Sequence, residues 1–235
     1  MPPNINYATL AKLPVRRPVD RLTFISNLCK EQSVLDVGCF DETALTKRDT
    51  EHWLHGRISQ QARRVTGVDS SSLIPSEGIQ TGKSSTIFRG DGVEIAPDIL
   101  KKDDFDIIVA GEFIEHIESP LRFFKNMKQN FPGRTLVIST PNGACFANTL
   151  LGSIGREVQH PDHLHNFSYK ILNTLCLRAG FQDWEIIPYR FYATEMILQS
   201  TGVRRALVIT VERCIRVVEK LFPLLSFGYV VRATL

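Results

Sequence analysis

Short apolar runs alternate with amphipathic stretches along the whole chain. Ser33-Val34-Leu35-Asp36-Val37 is an apolar run entering Gly38, and Val65-Thr66-Gly67-Val68 is another ending in Asp69. Phe105-Asp106-Ile107-Ile108-Val109-Ala110 is continuous and β-branched, as buried parallel strands are. The pattern predicts seven strands, over residues 33–37, 64–68, 86–89, 105–110, 134–139, 183–192 and 228–234. Helical spacing predicts helices over 19–30, 51–62, 120–130, 168–178 and 203–222. Leu22, Ile25, Ser26 and Cys29 share a face of the first, and Trp53, Leu54 and Ile58 point inward from the second. Pro120 suits a first helical turn, and Ala179-Gly180 a helix end. Residues 143–166 are a long excursion without a clear period. Residues 1–18, proline-rich and polar, are expected to form a poorly ordered arm, leaving 19–235 as one domain. Strands alternating with helices predict an α/β fold with a doubly wound, mostly parallel sheet and a helix inserted before the last strand.

Composition narrows the setting. A chain of 235 residues fits one α/β domain with embellishments, and a net charge of +3 is too small to argue for nucleic acid. Cys29, Cys39, Cys145, Cys176 and Cys214 are odd in number, widely spread and contain no C-x-x-C pair, which favours reduced thiols and a cytoplasmic setting. No basic-then-apolar leader opens the sequence, and no apolar run reaches the ~18–20 residues of a membrane span.

The chemistry concentrates at strand ends. A parallel sheet delivers them to one edge, where nucleotide ligands sit at the switch point. Gly38 allows a tight turn and close approach to a ligand. Asp69, at the tip of the next strand, is placed to accept hydrogen bonds from two ribose hydroxyls. A pyrophosphate is not expected: Phe40 and Thr43 stand where a G-x-G-x-x-G turn has its later glycines, and Asp36 would repel a phosphate. An acid before the glycine suits a cationic ligand, such as one carrying an ammonium group.

That combination resembles the class I S-adenosylmethionine-dependent methyltransferases, whose first motif is D/E-x-G-x-G; Phe40 replaces its second glycine. The resemblance implies a Rossmann-like fold whose last two strands pair as a hairpin, and S-adenosyl-L-methionine as cofactor. It implies that Asp36, Gly38 and Asp69 hold the amino-acid part and ribose, with Cys39, Ser70 and Gly111 beside them. Asp91 and Gly92 would meet the adenine; an aspartate beside glycines is also an ordinary turn former.

Gly111-Glu112-Phe113-Ile114-Glu115-His116 follows the fourth strand, at the edge where the transferable methyl should lie. Two carboxylates and an imidazole on one helical turn would need a catalytic role or a divalent cation to neutralise them. A capped helix start is the plainer alternative. His160-Pro161-Asp162-His163-Leu164-His165 follows the fifth strand, so the topology returns it to the same edge. His116, His163 and Glu115 are therefore the catalytic candidates, and Glu112, Glu115, His116 and His163 the candidate ligands for Mg, Mn or Zn.

The segments around Glu112, Pro120 and Thr140-Pro141-Asn142 resemble the ubiquinone-biosynthesis O-methyltransferases. Trp53-Leu54-His55 and the H-P-D-H loop resemble bacterial polysaccharide-pathway methyltransferases. The E-x-x-E-H and later D-H are also similar to metal-dependent 2′-O-methyltransferases of small RNA. The implied reaction is methylation of a hydroxyl on a small molecule or sugar-type glycan precursor, with RNA as the alternative acceptor. A non-catalytic interaction subunit with this fold is the remaining alternative. DNA is not expected as a partner.

In residues 203–222, Leu207, Val208, Val211, Cys214, Ile215, Val218, Leu221 and Phe222 form an apolar stripe among Arg204, Arg205, Arg213, Arg216 and Lys220. Such a helix packs on its own domain or covers a pocket, forms a homodimer, or lies on an anionic membrane.

Overall fold

The computed structural model describes residues 12–40, 44–48, 50–101, 103–157 and 159–235. Its strands are β1 (Ser33–Val37), β2 (Arg64–Asp69), β3 (Ile79–Gly82), β4 (Ser85–Arg89), β5 (Ile107–Gly111), β6 (Thr135–Pro141), β7 (Asp183–Tyr189) and β8 (Gly228–Thr234). Its helices are α1 (Arg21–Leu28), α2 (Ala44–Lys47), α3 (Leu54–Gln61), α4 (Pro97–Leu100), α5 (Pro120–Asn130), α6 (Phe146–Gly152), α7 (Tyr169–Ala179), α8 (Thr194–Leu198) and α9 (Gly202–Leu221). The sheet runs β3-β4-β2-β1-β5-β6-β8-β7. The five strands from β4 to β6 are parallel, and β8 enters antiparallel between β6 and β7.

Because side chains alternate across a strand, each strand serves two cores. Leu35, Val37, Ile108, Ala110, Leu136 and Ile138 face α5 and α7. Val34, Val65, Ile107, Val109, Val137 and Val230 face α1 and α3. Both layers being buried explains why these strands read as unbroken apolar runs. The helix signals hold locally: Ser119 caps α5 with Pro120 in its first turn, Ser168 caps α7, and Gly180 ends α7 at φ +76°.

The sheet has eight strands rather than seven. The additional β3 pairs antiparallel with β4 across an irregular register. Its four residues are edge residues bounded by Gly78 and Gly82, too short and too glycine-rich to leave an alternating pattern. Residues 12–18, expected to be an arm, lie against the domain: Leu13 and Val15 pack on the core, and Arg16 pairs with Glu185 at 2.7 Å.

The largest departure is the orientation of α9. Its buried residues are Glu212, Ile215 and Glu219, while Leu207, Val211, Leu221 and Phe222 are exposed. The segment after β7 supplies the reason. Ala193 N–H donates to Glu212 Oε1 at 3.0 Å, and Phe191 N–H to Glu219 Oε2 at 2.8 Å. A buried backbone N–H without an acceptor costs about 1–3 kcal/mol, so the acids turn inward to meet the two donors. Arg216 follows, pairing with Glu212 at 2.9 Å.

Candidate active site

The strand order reverses between β1 and β5, and in such sheets ligands sit outside the carboxyl ends of the strands at that switch point. Gly38 lies there at φ +66°, its N–H bonded to the Val68 carbonyl at 2.8 Å. A Cβ on Gly38 would stand 2.4 Å from Phe113 Cδ2, and one on Gly92 would stand 2.8 Å from Phe113 Cζ. Phe113 thus seals both glycine turns from one side. Asp69 is held rigidly: Phe40 N–H donates to Oδ2 and Ser71 N–H to Oδ1, each at 2.9 Å. Ser70 beside it is exposed, and Cys39 is buried with its carbonyl taking the Trp53 indole N–H at 3.1 Å. Asp91 caps its own turn, accepting from the Val93 and Glu94 N–H groups at 2.7 and 3.2 Å. Asp41 and Thr43 lie outside the described residues.

Asp36 departs from its expected role. Its carboxylate is buried against His55 Nδ1 at 2.8 Å, and His55 Nε2 meets Thr81 and Ser85 hydroxyls at 2.9 and 3.0 Å. The acid is committed to this internal relay rather than open to a ligand's ammonium group. Sequence spacing assigned the inward positions of that helix to Trp53, Leu54 and Ile58; a buried histidine on the same face was not anticipated.

Beyond β5 the chain turns without forming a helix. Gly111 approaches Leu54 closely, since a Cβ there would lie 2.6 Å from Leu54 Cδ2. Glu112 then adopts φ +54°, a left-handed conformation rarely accepted by non-glycine residues. That turn carries its carboxylate away from the loop and into a cage. The Tyr189 and Tyr192 hydroxyls donate to it at 2.8–2.9 Å, and Arg21 Nη2 stands at 3.5 Å. Arg21 also donates to Ser139 Oγ at 3.2 Å, with its guanidinium over both tyrosine rings. Burial, then the Glu112 charge, pushes both tyrosines far up, so they stay protonated donors.

Glu115 is fully buried, and neither carboxylate oxygen has a hydrogen-bond partner among the described residues. Burial first, then Glu112, raises its pKa from the ordinary 4.5 to about 8. Its backbone carbonyl accepts Leu164 N–H at 2.8 Å and His165 N–H at 3.2 Å, tying the histidine loop to this turn. The anticipated return of that loop is therefore real. It brings His116 and His163 to ring centroids 4.7 Å apart, with His160 at 5.8 and 5.6 Å from them. Their ring nitrogens lie within 4.8 Å of one another. The four residues expected as ligands do not gather: Glu112 is held by the tyrosines and Arg21, Glu115 is buried, and it is His160 that lies with His116 and His163. Burial first, and neighbouring histidines second, lower the pKa of both His116 and His163, leaving them neutral bases near pH 7.

A methyltransferase domain model matches residues 9–186, well over half of the sequence. The chain belongs to that family. A search of curated proteins finds no match. Among solved structures, the methyltransferase resembles a possible histamine N-methyltransferase from Thermotoga maritima (17% identity, TM-score 0.57, 92% of this chain and 87% of that one). It also resembles an Archaeoglobus fulgidus S-adenosylmethionine-dependent methyltransferase (19%, 0.53, 92% and 91%). A third is the methyltransferase domain of a bacterial Hen1 (17%, 0.53, 92% and 98%). At these identities the likeness is one of fold. Family membership makes the protein an S-adenosylmethionine-dependent methyltransferase, with the cofactor that name implies.

The residues around Glu112 carry no sequence signal: Arg21 and the pair Tyr189 and Tyr192 come from segments far apart in the chain and meet only on folding. Glu115 offers a direct pH test. Its folded pKa, about 8, lies above 4.5, so it contributes stability that is complete below pH 4.5 and is lost as pH rises through about 8. Glu115→Gln is expected to match the parent near pH 5. Near pH 9 it should be about 1–3 kcal/mol more stable by urea denaturation, since one pKa unit is worth about 1.4 kcal/mol. Two parallel stability curves would show that the carboxyl is not held neutral.

Proposed function

We propose that this methyltransferase acts on a hydroxyl oxygen, in a small-molecule or sugar-type acceptor. The observation carrying this reading is the meeting of two neutral imidazoles, His116 and His163, at the edge beside Gly111 and the buried Glu115. An alcohol must lose its proton as its oxygen attacks, and a neutral imidazole is the fitting base near pH 7. His116 would take the hydroxyl proton as the oxygen attacks; S-adenosylmethionine, when bound, would supply the methyl group and take the carbon–sulfur electron pair back onto sulfur. Most of the acceleration comes from holding these partners in line. Asp69 and the turns at Gly38, Cys39 and Gly92, with Ser70, Asp91 and Gly111 around them, supply the cofactor seat in this reading. Asp36 supports that seat from behind through His55.

A divalent ion at this edge would be held by His116, His160 and His163. An all-imidazole donor set suits zinc better than magnesium. Such an ion would lower the pKa of a bound hydroxyl.

The test is methyl transfer from labelled cofactor to sugar nucleotides, catechol-type phenols and short RNA, in excess chelator and with metals restored. Saturable labelling of a sugar or phenol, falling about 10²–10⁴-fold in His116→Ala, is expected from loss of a general base. Labelling of RNA alone would overturn the acceptor assignment and favour the Hen1-like alternative.

A further inference from the structure

The outer face of α9 carries what the inner face of a helix usually carries. Val203, Leu207, Thr210, Cys214, Val217 and Leu221 recur at alternating spacings of four and three, which aligns them along one side of the helix. All six are exposed, with Val203 87%, Leu207 62% and Leu221 68% accessible. Both acids of the helix, Glu212 and Glu219, are turned inward, so the charges left outside are all positive. Arg204, Arg205, Arg213 and Lys220 are exposed and have no carboxylate partner among the described residues. The apolar surface continues sideways. α9 packs against α6, α8 and the turn at residues 223–225, where Leu150, Ile154, Met196, Leu198 and Leu224 are also exposed.

We propose that this face of α9 docks on an anionic phospholipid bilayer surface. On α9 itself, an exposed apolar face flanked by cations, with both acids turned inward, is the pattern of a helix lying in the plane of a membrane interface. Charge selects among occupants. A second copy of α9 would offer no acid to Arg204, Arg213 or Lys220, and it would set cation against cation along the seam. The breadth of the face points the same way, since a paired helix covers one stripe whereas a bilayer covers a flat area. Docking is superficial, because no described helix is long and apolar enough to cross a membrane. It is also near the edge bearing the histidines: Asn142, following β6, donates to the Leu224 and Ser226 carbonyls at 3.0 and 2.9 Å, which ties the end of α9 to the carboxyl edge of the sheet. This inference stands on α9 and the elements packed beside it, and it survives any outcome for the acceptor.

The test is flotation of the full chain with vesicles of phosphatidylcholine, with and without phosphatidylglycerol. Binding is expected only with phosphatidylglycerol, and it should weaken at high salt. Arg213→Glu/Lys220→Glu should weaken it about tenfold or more, as expected for cations each contributing on the order of 1 kcal/mol near such a surface. Leu207→Glu should weaken it too. All three positions are exposed, so thermal midpoint and calorimetric cofactor binding should be unchanged. The proposal is overturned if the folded parent fails to float with phosphatidylglycerol, or if both variants float as it does. It is equally overturned if sedimentation shows a dimer dissociated by Leu207→Glu while vesicles capture nothing.

Discussion

Glu112→Ala is expected to destabilise the protein by about 2–4 kcal/mol and to abolish activity. Removing one partner of a buried ion pair costs about 3–5 kcal/mol because the other charge is stranded. Arg21 is the stranded group, with 11% of its side chain accessible, whereas Glu112 keeps 26%, which places the cost slightly lower. The two tyrosine hydroxyls that now donate to the carboxylate would lose their acceptor as well. Urea denaturation measures the loss, and a second substitution identifies its cause. Arg21→Met in the same chain removes the stranded charge and should recover at least half of the stability, but not the activity. If the single variant unfolds at the parental midpoint, the cage is not a stabilising unit.

Gly38→Ala is expected to cost about 2–4 kcal/mol and to weaken cofactor binding at least as strongly. A left-handed backbone penalises a Cβ by about 1–2 kcal/mol. The new atom would also sit 2.4 Å from Phe113 Cδ2, and overpacking of that kind costs about 1–3 kcal/mol. The two contributions separate in Gly38→Ala/Phe113→Ala, which relieves the overlap and leaves the backbone penalty. Denaturation and calorimetry with S-adenosylmethionine provide the readouts. A Gly38→Ala protein with parental stability and affinity would mean that Phe113 yields freely and does not shape the turn.

The meeting of the glycine turns and the histidine loop at one edge was legible for a single reason. Gly38 and Asp69 close apolar runs directly, Gly92 and His116 follow theirs within a few residues, and a parallel sheet sends all such run ends to one side. The loop at 160–165 could be placed with them because it follows β6 in the same sense. What stayed hidden was which way each polar side chain turns. Asp36 lies in a run where both faces are buried, and only the arrival of His55 from α3 decides that its carboxylate faces inward. Glu112 and Glu115 look equivalent in E-x-x-E-H, yet one carboxylate lies in a tyrosine cage and the other has no hydrogen-bond partner among the described residues.

By itself, the sequence determined the alternation of strands and helices, the parallel core and the edge to which the glycine turns and the histidine loop come. Those follow from hydrophobic period and from the chirality of crossover connections, which act locally and add up along the chain. Only the tertiary structure decided the partners of Arg21, the company of His160 and the orientation of α9. In α9 the apolar stripe pointed one way and the unpaired N–H groups of Phe191 and Ala193 the other. Meeting buried donors outweighed covering apolar side chains, because an orphaned N–H has no alternative inside the protein whereas an exposed leucine can be covered from outside.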